Sequence, residues 1–178
     1  MSGYPPWVNV ALYQCVWFAA VLGRGDGLVA SALTLVPIVA HLVLARERAR
    51  ELAVVIPCAA LGVAVDSALV LGGVFVFEPR PPVLPVPWWL IAIWIAFAAT
   101  LRHALAPLLS RGPLFVALGT VGGPLSYLAA ARLGAVELPY GPLASALVLA
   151  PAWALVCAAL IVSTRRADRA VNRDRDGA

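Results

Sequence analysis

The amino-acid sequence predicts an all-α fold, a polytopic membrane protein built as a six-helix transmembrane bundle with both termini in the cytoplasm. Three observations lead to this prediction. Of the 178 residues, 62% are hydrophobic and only 12% are charged, whereas soluble domains carry about 25% charged residues. The hydrophobic residues form six segments of roughly membrane-spanning length. Arginine is concentrated in the connections on one side of these segments.

The first three predicted spans are separated by short polar connections. Residues 7–22 form the weakest span, because about 16 residues is near the lower limit for crossing a bilayer. Residues 28–45 form the second span, after a glycine-rich loop. Residues 52–77 form the third span. The charged sequence RERARE, residues 46–51, is assigned to the loop before it.

The fourth and fifth spans follow a proline-rich connection. Five prolines in residues 78–87 predict a stiff, extended segment. The fourth span, residues 88–109, then begins with paired tryptophans that suit the membrane boundary. The fifth span, residues 114–131, carries Gly119 and Gly123 four residues apart, a spacing that lets helices approach closely in lipid. We expect this glycine face to support a homo-oligomer.

The sixth span determines on which side of the membrane the two termini are expected to lie. Residues 141–163 complete a single transmembrane domain over residues 1–164, and residues 165–178 are predicted to be a basic, disordered cytoplasmic tail. Six crossings place both termini on one side, where nine arginines fall, against three on the other side. This asymmetry predicts cytoplasmic termini in a bacterial inner membrane.

Composition also excludes several classes of protein. All thirteen basic residues are arginine, so no lysine is present for a Schiff base. The net charge is +4. The arginines that carry it lie at the predicted membrane boundaries rather than in a stripe typical of nucleic-acid binding, so we expect no nucleic-acid partner. The three cysteines lack metal-ligand spacing, and no metal ligands are assigned. The common hydrolase, phosphate-loop and dinucleotide-binding motifs are absent from the sequence.

One carboxylate lies in the middle of the third span. Asp66 is surrounded by apolar residues on both sides, and an ionised group at such a depth costs roughly 2.5 to 3.5 kcal/mol on insertion scales. It is therefore expected to face a partner or cavity inside the bundle. Arg102 is the natural ion-pair partner, and the alternative is that this pair only holds the third and fourth helices together.

Polar residues from four spans are expected to meet in one chamber in the cytoplasmic half of the bundle, with Asp66 as its floor. We assign Asp66 as an acid, with His41 and His103 as proton carriers. The predicted ligand-binding residues are Asn9, Gln14, Arg102, Trp94, Phe97, Thr100 and Tyr127.

Four segments carry a resemblance to a known family: NVALYQCVWFAAVLG (Asn9–Gly23), VDSALVLGGVFVF (Val65–Phe77), PWWLIAIWIAFAATLRHAL (Pro87–Leu105) and LGTVGGPLSYLAAARLGAV (Leu118–Val136). They resemble a family of small bacterial inner-membrane proteins of unknown function, most specifically in FAATLRHAL and GGPLSY. That family often has Asn where this chain has Arg102. Its members are often encoded beside fatty-acid-modifying and flavin-dependent enzymes, so the resemblance implies a lipid-related role and such enzymes as partners.

The leading hypothesis is a membrane protein that binds a lipid or isoprenoid in a polar pocket. If it also modifies the ligand, the chemistry would be acid catalysis of the isomerase or cyclase type. A small proton-coupled transporter and a non-catalytic scaffold are alternatives. No cofactor is predicted; a haem or metal held by His41 and His103 is a further alternative.

Overall fold

The computed structural model describes residues 5–45 and 47–176, with side chains through residue 170, and α-helices account for most of that chain. The helices are α1 (Pro6–Gly23), α2 (Leu28–Leu44), α3 (Arg48–Leu71), α4 (Trp88–Thr100), α5 (Ala106–Ser110), α6 (Gly112–Arg132) and α7 (Gly141–Asp176). Within the described residues the only β pairing is an isolated antiparallel bridge between Val76 and Glu137. The all-α prediction is confirmed for this part of the chain.

Four helices are long and apolar enough to cross a membrane: α1, α3, α6 and α7. The other two principal helices, α2 and α4, are apolar but shorter. Large apolar side chains cover the outside of the molecule; Leu28, Leu143 and Leu155 are 86%, 75% and 73% exposed. A soluble protein rarely exposes so continuous an apolar surface. The helices therefore indicate a membrane protein whose outer surface faces lipid.

The connections between helices lie at two opposite ends of the bundle. At one end, the β bridge joins the α3–α4 connection to the α6–α7 connection, and Gly25 of the α1–α2 connection lies against Trp88 at the start of α4. At the other end, ion pairs from Arg102 to Glu47 and Asp168 join the start of α3, the segment after α4 and the last part of α7. The principal helices therefore run alternately between the two ends.

The fourth helix is shorter than the sequence prediction. Residues 88–109 were expected to be one helix, but α4 ends at Thr100 and turns at residues 101–105 lead into the short α5. Pro107 lies in the first turn of α5, where its missing N–H costs no helical hydrogen bond. The break leaves Arg102 and His103 in a turn.

The structure also differs from the sequence prediction at the C-terminal tail, residues 165–178. Residues 165–176 continue α7 as helix, and residues 177–178 lie outside the described part. Asp168 on this extension forms ion pairs with Arg50 (3.4 Å) and Arg102 (3.7 Å). These contacts tie the extension to the start of α3, so it packs against the bundle.

The glycine face of α6 packs within the chain rather than being open to a second copy. A Cβ added at Gly119 would overlap the Cys157 side chain, and one added at Gly123 would overlap the Trp153 ring. Small residues at this spacing do allow close helix approach, but the helix that approaches is α7. The two glycines expected to support a homo-oligomer therefore contact α7 of the same chain.

Candidate functional site

Asp66 is buried inside the bundle, with 1% of its surface exposed. Trp94 of α4 donates a hydrogen bond from Nε1 to Asp66 Oδ2 at 2.6 Å. The Tyr127 hydroxyl on α6 is a second hydrogen-bond donor to this carboxylate. The acid is therefore held as an acceptor between two aromatic donors on different helices.

Gly62 explains how the Trp94 ring reaches this position. It lies one helical turn before Asp66 on α3, and a Cβ added there would overlap the indole of Trp94. Residues four apart share a helix face, so the absence of a side chain at 62 leaves the space that the indole occupies. The ring packs flat on α3 with its N–H directed at the carboxylate.

An aromatic pocket adjoins this acid. Trp94 and Trp153 stack with ring centroids 5.2 Å apart and an interplanar angle of 16°. Phe97 contacts both of them edge to face, at 5.8 and 5.9 Å. The cavity beside these rings has a volume of about 40 Å³. Its aromatic lining residues are Tyr13, Phe77, Trp89, Trp94, Phe97, Tyr127 and Trp153.

The predicted ligand-binding residues do not all lie at this pocket. Trp94, Phe97 and Tyr127 line it. Gln14 is exposed on the outside of α1, and the Thr100 hydroxyl donates to the Phe97 carbonyl of its own helix at 2.6 Å. Helical spacing alone placed Gln14 near the polar face of α1, but its side chain points away from the bundle.

A second buried polar group, the carboxylate–histidine cluster, consists of His41, Glu51, Arg102 and His103. His103 Nε2 lies 2.9 Å from Glu51 Oε1, and His41 Nε2 lies 3.6 Å from Glu51 Oε2. Arg102 donates from Nη1 to Glu51 Oε1 at 3.2 Å. His41, Glu51 and His103 are only 4%, 4% and 9% exposed. One carboxylate thus connects the last turn of α2, the first turn of α3 and the turn after α4.

Further ion pairs extend the cluster toward the surface. Arg102 Nη2 lies 3.8 Å from Glu47 Oε2, and Arg50 Nη1 lies 3.3 Å from the same oxygen. Glu47 lies just before α3, and the hydrogen bond from Arg50 is the main cause that lowers the pKa of its carboxyl below the usual value. A cavity of about 440 Å³ opens beside Arg102 and Asp168. The buried cluster therefore has a charged outer edge at this end of the bundle.

The expected ion pair between Asp66 and Arg102 is not formed; Arg102 pairs with Glu51 instead. Glu51 and Asp66 are both on α3, and 15 residues at 1.5 Å each separate them by about 22 Å along the helix. His41 and His103 both contact Glu51 rather than Asp66. The polar residues therefore form two separate sites rather than the single chamber that the sequence predicted.

Glu51 is the important residue that the sequence analysis missed. It was assigned to a charged loop, yet α3 begins at Arg48 and Glu51 lies in its first turn. The helical spacing back from Asp66, through Gly62, Cys58 and Val55, reaches Glu51, and all five are buried. The position of Glu51 at this helical spacing from Asp66 was the sequence signal that could have placed it inside the bundle. An acidic residue in a first turn is also favoured by the helix dipole.

The donor set of this cluster suits a small metal ion better than a haem. Ligand atoms of His41, Glu51 and His103 all lie within 4.8 Å of one another. The two imidazole rings are in edge-to-face contact, with centroids 5.1 Å apart, and both Nε2 atoms approach the same carboxylate. A haem with two axial histidines needs its macrocycle between the two nitrogens, and these rings leave no such space.

Comparison with known proteins assigns the chain to a family. Searches of curated proteins and of solved structures found no significant match. A family profile covers residues 6–159, which include five of the six principal helices, the first part of α7, the aromatic pocket and the carboxylate–histidine cluster. The chain therefore belongs to the family described as protein of unknown function, DUF2878.

Proposed function

We propose that this protein crosses a bacterial inner membrane six times, with both termini in the cytoplasm, and binds the apolar chain of a lipid or isoprenoid in its aromatic pocket. The alternation of the connections between the two ends of the bundle supports six crossings. The arginine-rich connections favour the cytoplasm for the end that holds the carboxylate–histidine cluster.

The observation that carries the proposal is the stacked pair of Trp94 and Trp153 over a buried acid. The Trp94 ring lines the cavity and stacks on Trp153. Its N–H donates a hydrogen bond to Asp66, which does not line the cavity. The cavity is thus lined by aromatic rings, and the orientation of Trp94 among them is fixed by a buried hydrogen bond. Such rings offer a large apolar surface to the methyl groups and double bonds of an isoprenoid or acyl chain.

The size of the cavity limits which part of a ligand it takes. A volume of about 40 Å³ is room for about three water molecules. It therefore receives the end of a chain rather than a whole lipid. An apolar chain would enter between helices from the surrounding bilayer, where its remaining length stays in lipid.

The proposal concerns binding rather than acid–base catalysis. Asp66 does not line the cavity, because the Trp94 and Tyr127 side chains lie between the two. The two histidines that would carry protons lie with Glu51, about 22 Å away along α3. The role of Asp66 in this proposal is to position the rings that contact the ligand.

Co-purification tests the proposal. The full chain would be extracted with native lipids in a gentle detergent or a polymer disc, and bound lipids measured by mass spectrometry. Ala130 is buried and lines the cavity, so Ala130→Leu fills it. Ala117→Leu, on the exposed side of the same helix, is the matched control. We expect one lipid class enriched over the bulk membrane in wild type and control, and lost in Ala130→Leu.

A second measurement uses the wild-type protein alone and so does not depend on folding of a variant. A lipid or isoprenoid with a photoreactive diazirine at its chain end should crosslink to peptides containing Trp94, Phe97 or Trp153. Crosslinks confined to the outer faces of the helices, together with equal lipid content in both alanine variants, would overturn the proposal.

A further inference from the structure

We propose that the carboxylate–histidine cluster is a binding site for one divalent transition-metal ion, with Zn²⁺ the best match, held by His41, Glu51 and His103. Imidazole nitrogen and carboxylate oxygen are the ligands that zinc takes in sites with two histidines and one glutamate. Similar sets also bind Fe²⁺. The site is independent of lipid binding in the aromatic pocket, since it lies at the other end of α3.

The spacing of the ligand atoms is close to what such an ion needs. Bonds of 2.0–2.2 Å in a tetrahedral site place ligand atoms about 3.3 Å apart. His103 Nε2 lies 2.9 Å from Glu51 Oε1 and His41 Nε2 lies 3.6 Å from the other oxygen, Oε2. With one ligand atom taken from each residue, all three lie within 4.8 Å of one another. Small rotations of the two imidazoles are therefore enough to form the site.

The surroundings fix the ligands and favour a cation. The three residues come from three different elements and are almost completely buried. Arg102 bonds Glu51 Oε1, and because a carboxylate accepts at about four positions, Glu51 can bind Arg102 and an ion together. The ion pairs linked through Arg102 join three carboxylates, those of Glu47, Glu51 and Asp168, to two guanidinium groups. Carboxylates outnumber guanidinium groups by one in that network.

A small cavity lies beside His41, although neither Glu51 nor His103 lines it. Asn9 is 3% exposed, and its Oδ1 has no hydrogen-bond partner among the residues that the structure describes. Asn9 and His41 line the same cavity of about 20 Å³, which is large enough for one water molecule. A metal-bound water in this cavity would give the buried Oδ1 its donor. Three protein ligands and a water is the arrangement of reactive zinc sites rather than closed structural ones.

Metal binding to the full chain tests the inference. The protein would be purified without a histidine tag, stripped with a chelator and titrated with Zn²⁺, and its metal content measured. The chain has only two histidines, so His41→Gln with His103→Gln leaves none. We expect about one ion per wild-type chain, and affinity weakened more than about 100-fold in the double variant and in Glu51→Gln, since loss of outer-shell partners alone costs 10–100-fold.

The control is Glu47→Gln, which alters the linked ion pairs but removes no proposed ligand. It should bind Zn²⁺ within a few-fold of wild type. If it weakens binding as much as Glu51→Gln does, the ion is bound by general negative charge and the proposal is wrong.

Spectroscopy of the wild-type protein gives a readout that does not depend on variants. X-ray absorption of the zinc form should show two imidazoles and only nitrogen or oxygen ligands, and Co²⁺ should give visible bands without a thiolate charge-transfer band. A thiolate signature would assign the ion to Cys15, Cys58 or Cys157 and overturn the proposal. Failure to bind stoichiometric metal would overturn it too, and would leave lipid binding in the aromatic pocket untouched.

Discussion

Trp94 donates from its indole nitrogen to Asp66 at 2.6 Å, and both side chains are at least 97% buried. This hydrogen bond joins α4 to α3 in the interior of the bundle. A carboxylate in an apolar interior is costly unless donors surround it. The bond therefore explains both why the acid is tolerated there and why the ring that lines the cavity has a fixed orientation.

Trp94→Phe should destabilise the protein, because it removes the donor and keeps an aromatic ring. Leaving a buried acceptor without this donor costs about 1–3 kcal/mol. The measurement is reversible unfolding in mixed micelles. Trp88→Phe is the matched control, since Trp88 is 41% exposed at the start of the same helix. Equal stability of the two variants would show that the bond to Asp66 contributes nothing.

The burial of Asp66 could be predicted from the sequence, but its partner could not. A lone carboxylate amid apolar residues must turn inward, and in the structure it does. The nearest cation in predicted depth was Arg102, and charge alone suggested a pair. The end of α4 at Thr100 instead leaves Arg102 in a turn near the start of α3, where Glu51 accepts a hydrogen bond from it. A tryptophan N–H carries no charge, so no sequence pattern identified it as the partner.

Contacts between segments that are far apart in the sequence account for the other differences between the predicted and the observed structure. Residues after Thr164 have the composition of a solvated tail, yet Asp168 pairs with Arg50 and Arg102 across the bundle. The spacing of Gly119 and Gly123 correctly indicates a close helix contact, but it cannot say which helix makes it. In both cases the segment is recognisable from local sequence, while its partner depends on how the helices are arranged.

Gly62→Ala should be disruptive, although alanine is usually the better helix residue. The added Cβ would overlap the Trp94 ring, and forcing extra volume into a packed interior costs about 1–3 kcal/mol. Gly122→Ala on α6 is the control, because a Cβ there meets nothing within 4 Å. We expect Gly62→Ala to lower the unfolding midpoint and shift tryptophan fluorescence, and Gly122→Ala to do neither. Matching results for the two variants would contradict the packing of Trp94 on α3.

Glu51→Gln should destabilise the protein even in the presence of a chelator, which removes any contribution from bound metal. Deleting the charge leaves Arg102, whose side chain is 13% exposed, without its closest partner, and breaking a buried ion pair costs about 3–5 kcal/mol. Glu47→Gln should unfold at the wild-type midpoint, because its carboxylate is at the surface. In the double variant Glu51→Gln with Arg102→Gln, part of the lost stability should return, since no cation is then left uncompensated. If the double variant is as unstable as the sum of its single changes, Glu51 and Arg102 are not energetically coupled.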